Sequence, residues 1–301
     1  MPLFHFGFSA MASVNELQIW ADTETDARRG ADAAIADVLR IEAKYSRYRD
    51  DSVVTRINRE AGNAEVPIDP ETAALLHYAD QCYRLSETLF DITSGALRRA
   101  WDFRRTPPRL PTDAELEAAL SAIGWCDVEW SDRAVRLPRA GMEIDLGGVG
   151  KEYAADRMAT LCLEHGLTHV LVNLGGDVRV AGPQEDGTPW LVGIRHPRRT
   201  GEVIATIEMR GGALATSGDY ERFFEIDKVR YCHLLNARSG WPVQYWQSVS
   251  VTAPLCVIAG SCSTIAMLLE DSGEAFLDSQ GVRYLAIASD GTVTGPLASS
   301  G

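Results

Sequence analysis

Ile144-Asp145-Leu146-Gly147-Gly148-Val149-Gly150-Lys151-Glu152-Tyr153-Ala154 is the stretch on which the reading of this chain turns. Three glycines separate an apolar run that reads as a strand end from a run that reads as a helix start. At such a junction the free amide N–H groups and the helix dipole favour an anion, and the missing side chains allow close approach. Lys151 in the first turn sets a cation where phosphates would arrive. The segment is not a P-loop, because the spacing and the Ser/Thr after the lysine are absent. Nor is it a G-x-G-x-x-G followed by a ribose-binding acid. By pattern alone it is open between a phosphate cradle and a tight strand–helix turn.

Outward from this junction, a helix is expected from about Lys151 to His165, closed by Gly166. Strands are expected at His169–Leu174, Leu191–Arg195, Val203–Met209 and Val229–Leu235, then a helix at Val257–Leu269. A terminal hairpin, Tyr284–Val293, turns at Ser289-Asp290-Gly291. Upstream, a first strand is read at Glu16–Trp20. A helix capped by Thr23 or Thr25 runs on through Lys44, with Ile35, Val38, Leu39 and Ile41 at helical spacing. Asp69-Pro70 opens a second helix, and Thr112-x-x-Glu115 is a capping box for a third that stops at Gly124. Asp127–Trp130 and Ala134–Leu137 read as a hairpin around Ser131-Asp132-Arg133. Strands and helices in clusters, without strict alternation, imply an α+β fold. The Pro- and Arg-rich stretch Arg104–Pro111 divides a helix-rich part, residues 1–105, from a sheet-rich part, residues 106–301, within one compact unit.

Composition narrows the partners. Of 301 residues, 46% are hydrophobic and 24% charged, which excludes a disordered or collagen-like chain. A net charge of −13, from 42 acids against 29 bases, argues against nucleic acid or a polyanionic membrane surface. It leaves room for a small phosphorylated ligand held by local backbone amides. No stretch approaches the length of an apolar membrane span, and Met1–Phe8 lacks the basic and apolar regions of a secretory signal. Cys82, Cys126, Cys162, Cys232, Cys256 and Cys262 form no C-x-x-C pair and mostly sit in apolar runs. A reduced, cytoplasmic protein is expected.

Other segments carry weaker signals. Asn173-Leu174-Gly175-Gly176-Asp177 follows a buried strand and by itself reads as a bulge or sharp turn. Ala215-Thr216-Ser217-Gly218-Asp219-Tyr220 groups hydroxyls and a carboxylate, and by itself reads as a turn with local side-chain to backbone bonds. His233, in Tyr231-Cys232-His233-Leu234-Leu235 before the polar Asn236–Gly240 turn, stands where a strand end can present a base to a cleft. The remaining histidines have no zinc-binding spacing.

In order along the chain, these pieces resemble the ApbE family of FAD:protein FMN transferases. The similarity runs through Ala10–Ser13, Tyr45–Ser52, Phe90–Gly95 with Trp101-Asp102-Phe103, the Asp145–Lys151 loop and Asn173–Asp177. It continues through Pro189-Trp190 with Gly193-Ile194, Thr216–Tyr220, and His233–Gly240 with Pro242. The resemblance implies an α+β flavin-transferase fold with mixed or antiparallel sheets and flanking helices, FAD as donor and a divalent metal, usually Mg²⁺. It also implies transfer of FMN through a phosphoester bond to a Thr or Ser of an acceptor protein, with release of AMP. Carried over by position, Met11, Tyr48, Leu89, Phe90, Asp91 and Leu234 become flavin contacts, and Asp145 and Lys151 contacts beside the diphosphate. The Gly148 carbonyl, Ser263 and Thr264 become metal ligands, and His233 the general base. Two other outcomes are compatible with such a site: FAD binding without transfer, as in a carrier or assembly factor, and metal-dependent FAD hydrolysis.

The chain departs from the family at three places. Ala259-Gly260-Ser261-Cys262-Ser263-Thr264 aligns with Ala-Asp-Ala-Leu-Ser-Thr, so Gly260 stands where the family carries a metal-binding aspartate. Glu152 replaces the glycine usual after the lysine, and Ala12 the glycine usual after Met11. Glu152 either reaches the metal in compensation or, as the simpler expectation, complements the helix dipole from the first turn. On that simpler expectation metal affinity is poor, and Gly260→Asp improves it.

Overall fold

The computed structural model describes residues 1–298. The chain opens with a hairpin, β1 (Leu3–Ala10) and β2 (Ser13–Trp20), turned by Met11 and Ala12 alone. Helices α1 (Glu24–Tyr45), α2 (Val53–Arg59) and α3 (Pro70–Leu85) follow, with the short strand β3 (Val66–Pro67) between the last two. Thr23, Ser52 and Asp69 each cap a helix by accepting a backbone N–H, and Pro70 takes the first turn, where no N–H is needed. A 3₁₀ segment, Ile92–Arg99, leads to α4 (Asp113–Leu120), which begins on the expected Thr112/Glu115 capping box. Strands β4 (Glu129–Trp130) and β5 (Ala134–Arg136) join β3 in a small sheet. Helix α5 (Gly150–Glu164) leads to β6 (Val170–Leu174) and β7 (Asp177–Ala181), then to a separate hairpin, β8 (Trp190–Arg195) and β9 (Val203–Met209). After β10 (Gly212–Gly218), β11 (Phe223–Ile226) and β12 (Val229–Cys232) make a further hairpin. Strand β13 (Trp246–Ala253), helices α6 (Cys256–Leu269) and α7 (Gly273–Ser279), and strands β14 (Arg283–Ala288) and β15 (Val293–Thr294) complete the described chain.

The principal sheet has eight strands in the order β1-β2-β6-β7-β10-β13-β14-β15, antiparallel at every pairing. Its two faces bury different partners, as the period of two demands. Leu17, Ile19, Val170, Val172, Ala213, Ala215, Val249 and Val251 face the core shared with α1, α5 and α6. Leu171, Val178, Val180, Leu214, Leu285 and Ile287 face a second core with Trp190, Val192 and Ile194 of β8 and Ile207 and Met209 of β9. The sheet crosses the expected division at residue 105, since β2 pairs with β6.

Several strands differ from the sequence expectation. The first is β1, whose Phe4, Phe6 and Phe8 alternate onto the main core. Ala215–Gly218, expected as a turn, is the end of β10; its small side chains let α6 pack closely on the sheet. In β13 the buried Ser248 and Ser250 break the apolar pattern. Ile144 and Asp145 are in no strand: the Asn58 side chain takes the place of a neighbouring strand, donating to the Ile144 carbonyl at 3.0 Å and accepting from its N–H at 2.7 Å. The strand expected through Leu235 ends at Cys232.

Candidate functional site

Two tight turns and a helix start meet at one end of the sheet. Gly175 and Gly176 alone connect β6 to β7, both with positive φ (59° and 106°), as such a two-residue turn requires. A Cβ on Gly175 would lie 2.8 Å from Ser13 Cβ and 3.8 Å from Lys151 Nζ. The β6–β7 turn therefore sits against the end of the β1–β2 turn and beneath the lysine. Met11, in that turn with φ 53°, donates its N–H to Glu42 Oε1 at 2.7 Å.

Helix α5 begins at Gly150, and Val149 before it supplies no side-chain cap. Gly150 donates its N–H to the Leu146 carbonyl at 2.7 Å, and the N–H groups that follow in the first turn have no side-chain cap. Lys151 pairs with Asp177 at 2.7 Å. Burial opposes the lysine's charge, but Asp177 and Glu152 outweigh it and hold the ammonium above its ordinary range. Burial raises Asp177, which is 4% exposed, against the pull of Lys151.

The turn ahead of α5 is held from three sides. Asp145 Oδ1 accepts from Gly147 N at 2.9 Å, its other oxygen is paired with Arg47, and its own N–H reaches the Ile92 carbonyl at 2.8 Å. Gly148 packs on Phe90, whose Cζ would be 3.2 Å from a Cβ there, so this glycine is one the packing needs. Phe90 and Asp145 thus both lie against the glycine turn that leads into α5. Leu89 and Leu234 join the main core from separate segments, Leu89 buried and Leu234 at its margin. Tyr48 is 66% exposed, with the Arg47 guanidinium 5.0 Å and the Arg104 guanidinium 5.9 Å from its ring centre, leaving ring surface for a planar ligand. Asp91 is differently placed. Its carboxylate accepts from Thr93 N (2.7 Å), Thr93 Oγ1 (2.6 Å) and Trp125 N (3.1 Å), so both oxygens are engaged within the protein.

On α6, Ser263 and Thr264 both hydrogen-bond Ser217 Oγ of β10, at 2.8 and 2.9 Å. These hydroxyls form a hard-oxygen set of the type Mg²⁺ prefers. Next to them Glu152 of α5 lies over Gly260, buried, with Oε2 lacking any hydrogen-bond partner. Glu152 lies in the first turn of α5, as the simpler expectation has it, and is buried there against α6. Ser217 is the residue that sequence reasoning left without a role. The resemblance marks both positions, 152 and 260, as departures, and the packing of α5 on α6 brings them into contact.

His233 follows β12 and donates its N–H to the Arg222 carbonyl at 2.9 Å; its Nδ1 is buried without a partner. Burial, then the charges of Arg222 and Lys151, push its imidazole down to about 4, so it is neutral at physiological pH.

An antiparallel α+β fold that gathers hairpin turns and an uncapped helix start at one sheet end, with a buried neutral histidine after β12, defines the class of protein. The chain belongs to the ApbE family, whose model matches residues 11–286. It is 31% identical over 255 residues to the FAD:protein FMN transferase of Salmonella typhimurium, spanning 81% of this chain and 73% of that one. The FAD:protein FMN transferase of Treponema pallidum is 34% identical over 260 residues, spanning 79% and 71%. Among solved structures, the ApbE protein of Thermotoga maritima superposes with a TM-score of 0.89 at 31% identity, covering 98% of this chain and 97% of that one. The flavin transferase ApbE of Vibrio cholerae superposes with a TM-score of 0.85 at 25% identity, covering 99% and 98%.

Proposed function

We propose that this protein transfers the FMN half of FAD to a Thr or Ser hydroxyl of an acceptor protein. The observation that carries this reading is the α5 start without a side-chain cap, with Lys151 in its first turn, together with the buried, neutral His233. These supply an anion cradle and a base, and the relatives named above are FAD:protein FMN transferases. The α5 amides and Lys151 hold the FAD diphosphate, with Asp145 shaping the turn. Met11, Tyr48, Phe90, Leu89 and Leu234 offer apolar and aromatic surface to the flavin, and the Asp91 carboxylate braces that wall from within. His233 accepts the proton of the acceptor hydroxyl. The hydroxyl oxygen bonds to the FMN phosphorus as the P–O bond to AMP breaks, and AMP leaves in line. Gly148, Ser263 and Thr264 would hold a divalent cation such as Mg²⁺. When bound, the cation would neutralise diphosphate charge.

The test incubates the protein with FAD, Mg²⁺ and a Thr-containing acceptor, and follows flavin by mass spectrometry. Transfer yields covalent FMN on the acceptor plus AMP. Free FMN plus AMP would make the protein a hydrolase, and unchanged FAD a binding protein; either result would displace this proposal.

A further inference from the structure

Helix α5 brings a carboxyl group to the one place on α6 that has room for it. A Cβ on Gly260 would lie 2.5 Å from Glu152 Cγ, 2.8 Å from Oε1 and 3.0 Å from Cδ. The volume that a side chain at 260 would occupy is already filled by the carboxyl of Glu152, which is 7% exposed. Gly260, Ser263 and Thr264 share one face of α6 by their spacing of three and four. Ser263 Oγ donates to the Gly260 carbonyl at 2.9 Å, and Ser217 binds both hydroxyls from β10. A carboxyl oxygen without a protein partner thus lies beside a seam of hard-oxygen donors, one turn from Gly148.

Charge leads to the same place. Asp177 and Glu152 are both buried, yet Lys151 is paired with Asp177. A second charged carboxylate in this position is costly unless it takes up a proton or a cation lies beside it, and a bound cation also offsets its repulsion of an incoming diphosphate. Magnesium sites commonly combine one or two carboxylates with phosphate oxygens. We propose that Glu152 is a ligand of the divalent cation, supplying from α5 the carboxylate that an aspartate at 260 would supply from α6. The proposal rests on the flavin-transfer reading for the role of the cation. It corrects the expectation that Gly260→Asp alone improves metal binding, because that side chain would collide with Glu152 and repel it.

The experiment titrates Mn²⁺, a paramagnetic stand-in for Mg²⁺, into the full chain with and without FAD, reading free Mn²⁺ by electron paramagnetic resonance. Quenching of flavin fluorescence in metal-free protein reports FAD binding separately. Wild type is expected to hold Mn²⁺, and Glu152→Gln to weaken it by about 100-fold, the upper end of what losing even an outer-shell partner costs. Gly260→Asp should lower both Mn²⁺ affinity and the melting temperature. Glu152→Gly combined with Gly260→Asp should restore Mn²⁺ affinity to within about tenfold of wild type, since one carboxylate again occupies the same volume. Glu152→Gln binding Mn²⁺ as tightly as wild type, or FAD-loaded wild type binding none, would overturn the proposal. If Glu152→Gln does not fold, the double variant decides: restored binding supports the exchange of one ligand between positions, and a folded double variant without binding refutes it. Absent FAD quenching in wild type would refute the flavin reading instead, and the Mn²⁺ arm without FAD still judges Glu152.

Discussion

His233 makes acid stability a direct readout of the candidate base. Its imidazole lies at about 4 in the folded protein, lowered first by burial and then by the Arg222 and Lys151 charges, against 6.5 for an ordinary histidine. Above pH 6.5 neither the folded nor the unfolded chain protonates it, and it contributes no pH dependence. Between 6.5 and about 4 the unfolded chain takes up a proton that the folded chain rejects, so stability falls as pH falls, and the loss levels off below 4. The full displacement corresponds to roughly 3 kcal/mol; residual contact of the ring with solvent brings the expectation to between about 1 and 3 kcal/mol.

The perturbation is His233→Gln, and the assay is urea unfolding of both proteins from pH 7.5 to 4. Carboxylates titrate in the same range, but they do so in both proteins and cancel in the difference. Wild type should lose between about 1 and 3 kcal/mol more than the variant over this interval. Parallel stability curves would show that His233 is not held neutral by its surroundings. The same displacement governs transfer: with His233 as base, the acid limb of the rate falls near pH 4 to 5, and a limb at 6.5 would place the base in a water-like setting.

Three further outcomes are expected. Ala12→Gly should stabilise the protein by about 1 kcal/mol, raising the melting temperature by about 2–4 °C, because Ala12 holds φ 59° in a two-residue turn that favours glycine. Gly175→Ala should cost about 1–3 kcal/mol in urea unfolding, since its φ is positive and its Cβ would fall 2.8 Å from Ser13 Cβ. Asn58→Leu should cost about 2–4 kcal/mol by leaving the Ile144 N–H and carbonyl without their partner. It should also speed amide exchange across Glu143–Gly147, and unchanged exchange would show that the loop is held by its other contacts.

Much of the fold was legible where local signals are strong. The caps at Thr23, Asp69 and Thr112 begin helices as read, because a side chain that satisfies N–H groups three residues away is a local event. The turn at Gly175-Gly176 was legible for the same reason. What escaped was buried on both faces or used small residues. Strand β10, Gly-Ala-Leu-Ala-Thr-Ser-Gly, has the composition of a loop and becomes a strand because α6 covers one face and β8–β9 the other. Strand β13 hides its period because Ser250 spends its hydroxyl on Thr216 of the next strand, at 2.8 Å.

The candidate site divides along the same line. Residues within one segment, such as Asp145 with Gly147, could be tied to a function by spacing because their contact is built by the turn itself. Glu152 could be set beside Gly260 only through the family resemblance, because the two positions lie over a hundred residues apart on different helices. Read singly, Gly260 looks like a lost ligand and Glu152 like a helix-start acid. In the packed structure they meet: the space a side chain at 260 would need is filled by the carboxyl of Glu152 from α5. A chain that kept both carboxyl groups would crowd two acids into one volume, and one that kept neither would leave the seam of Ser217, Ser263 and Thr264 without an anionic oxygen. Either position changed alone is therefore expected to be worse than both changed together, and that non-additivity separates an exchanged ligand from two unrelated departures.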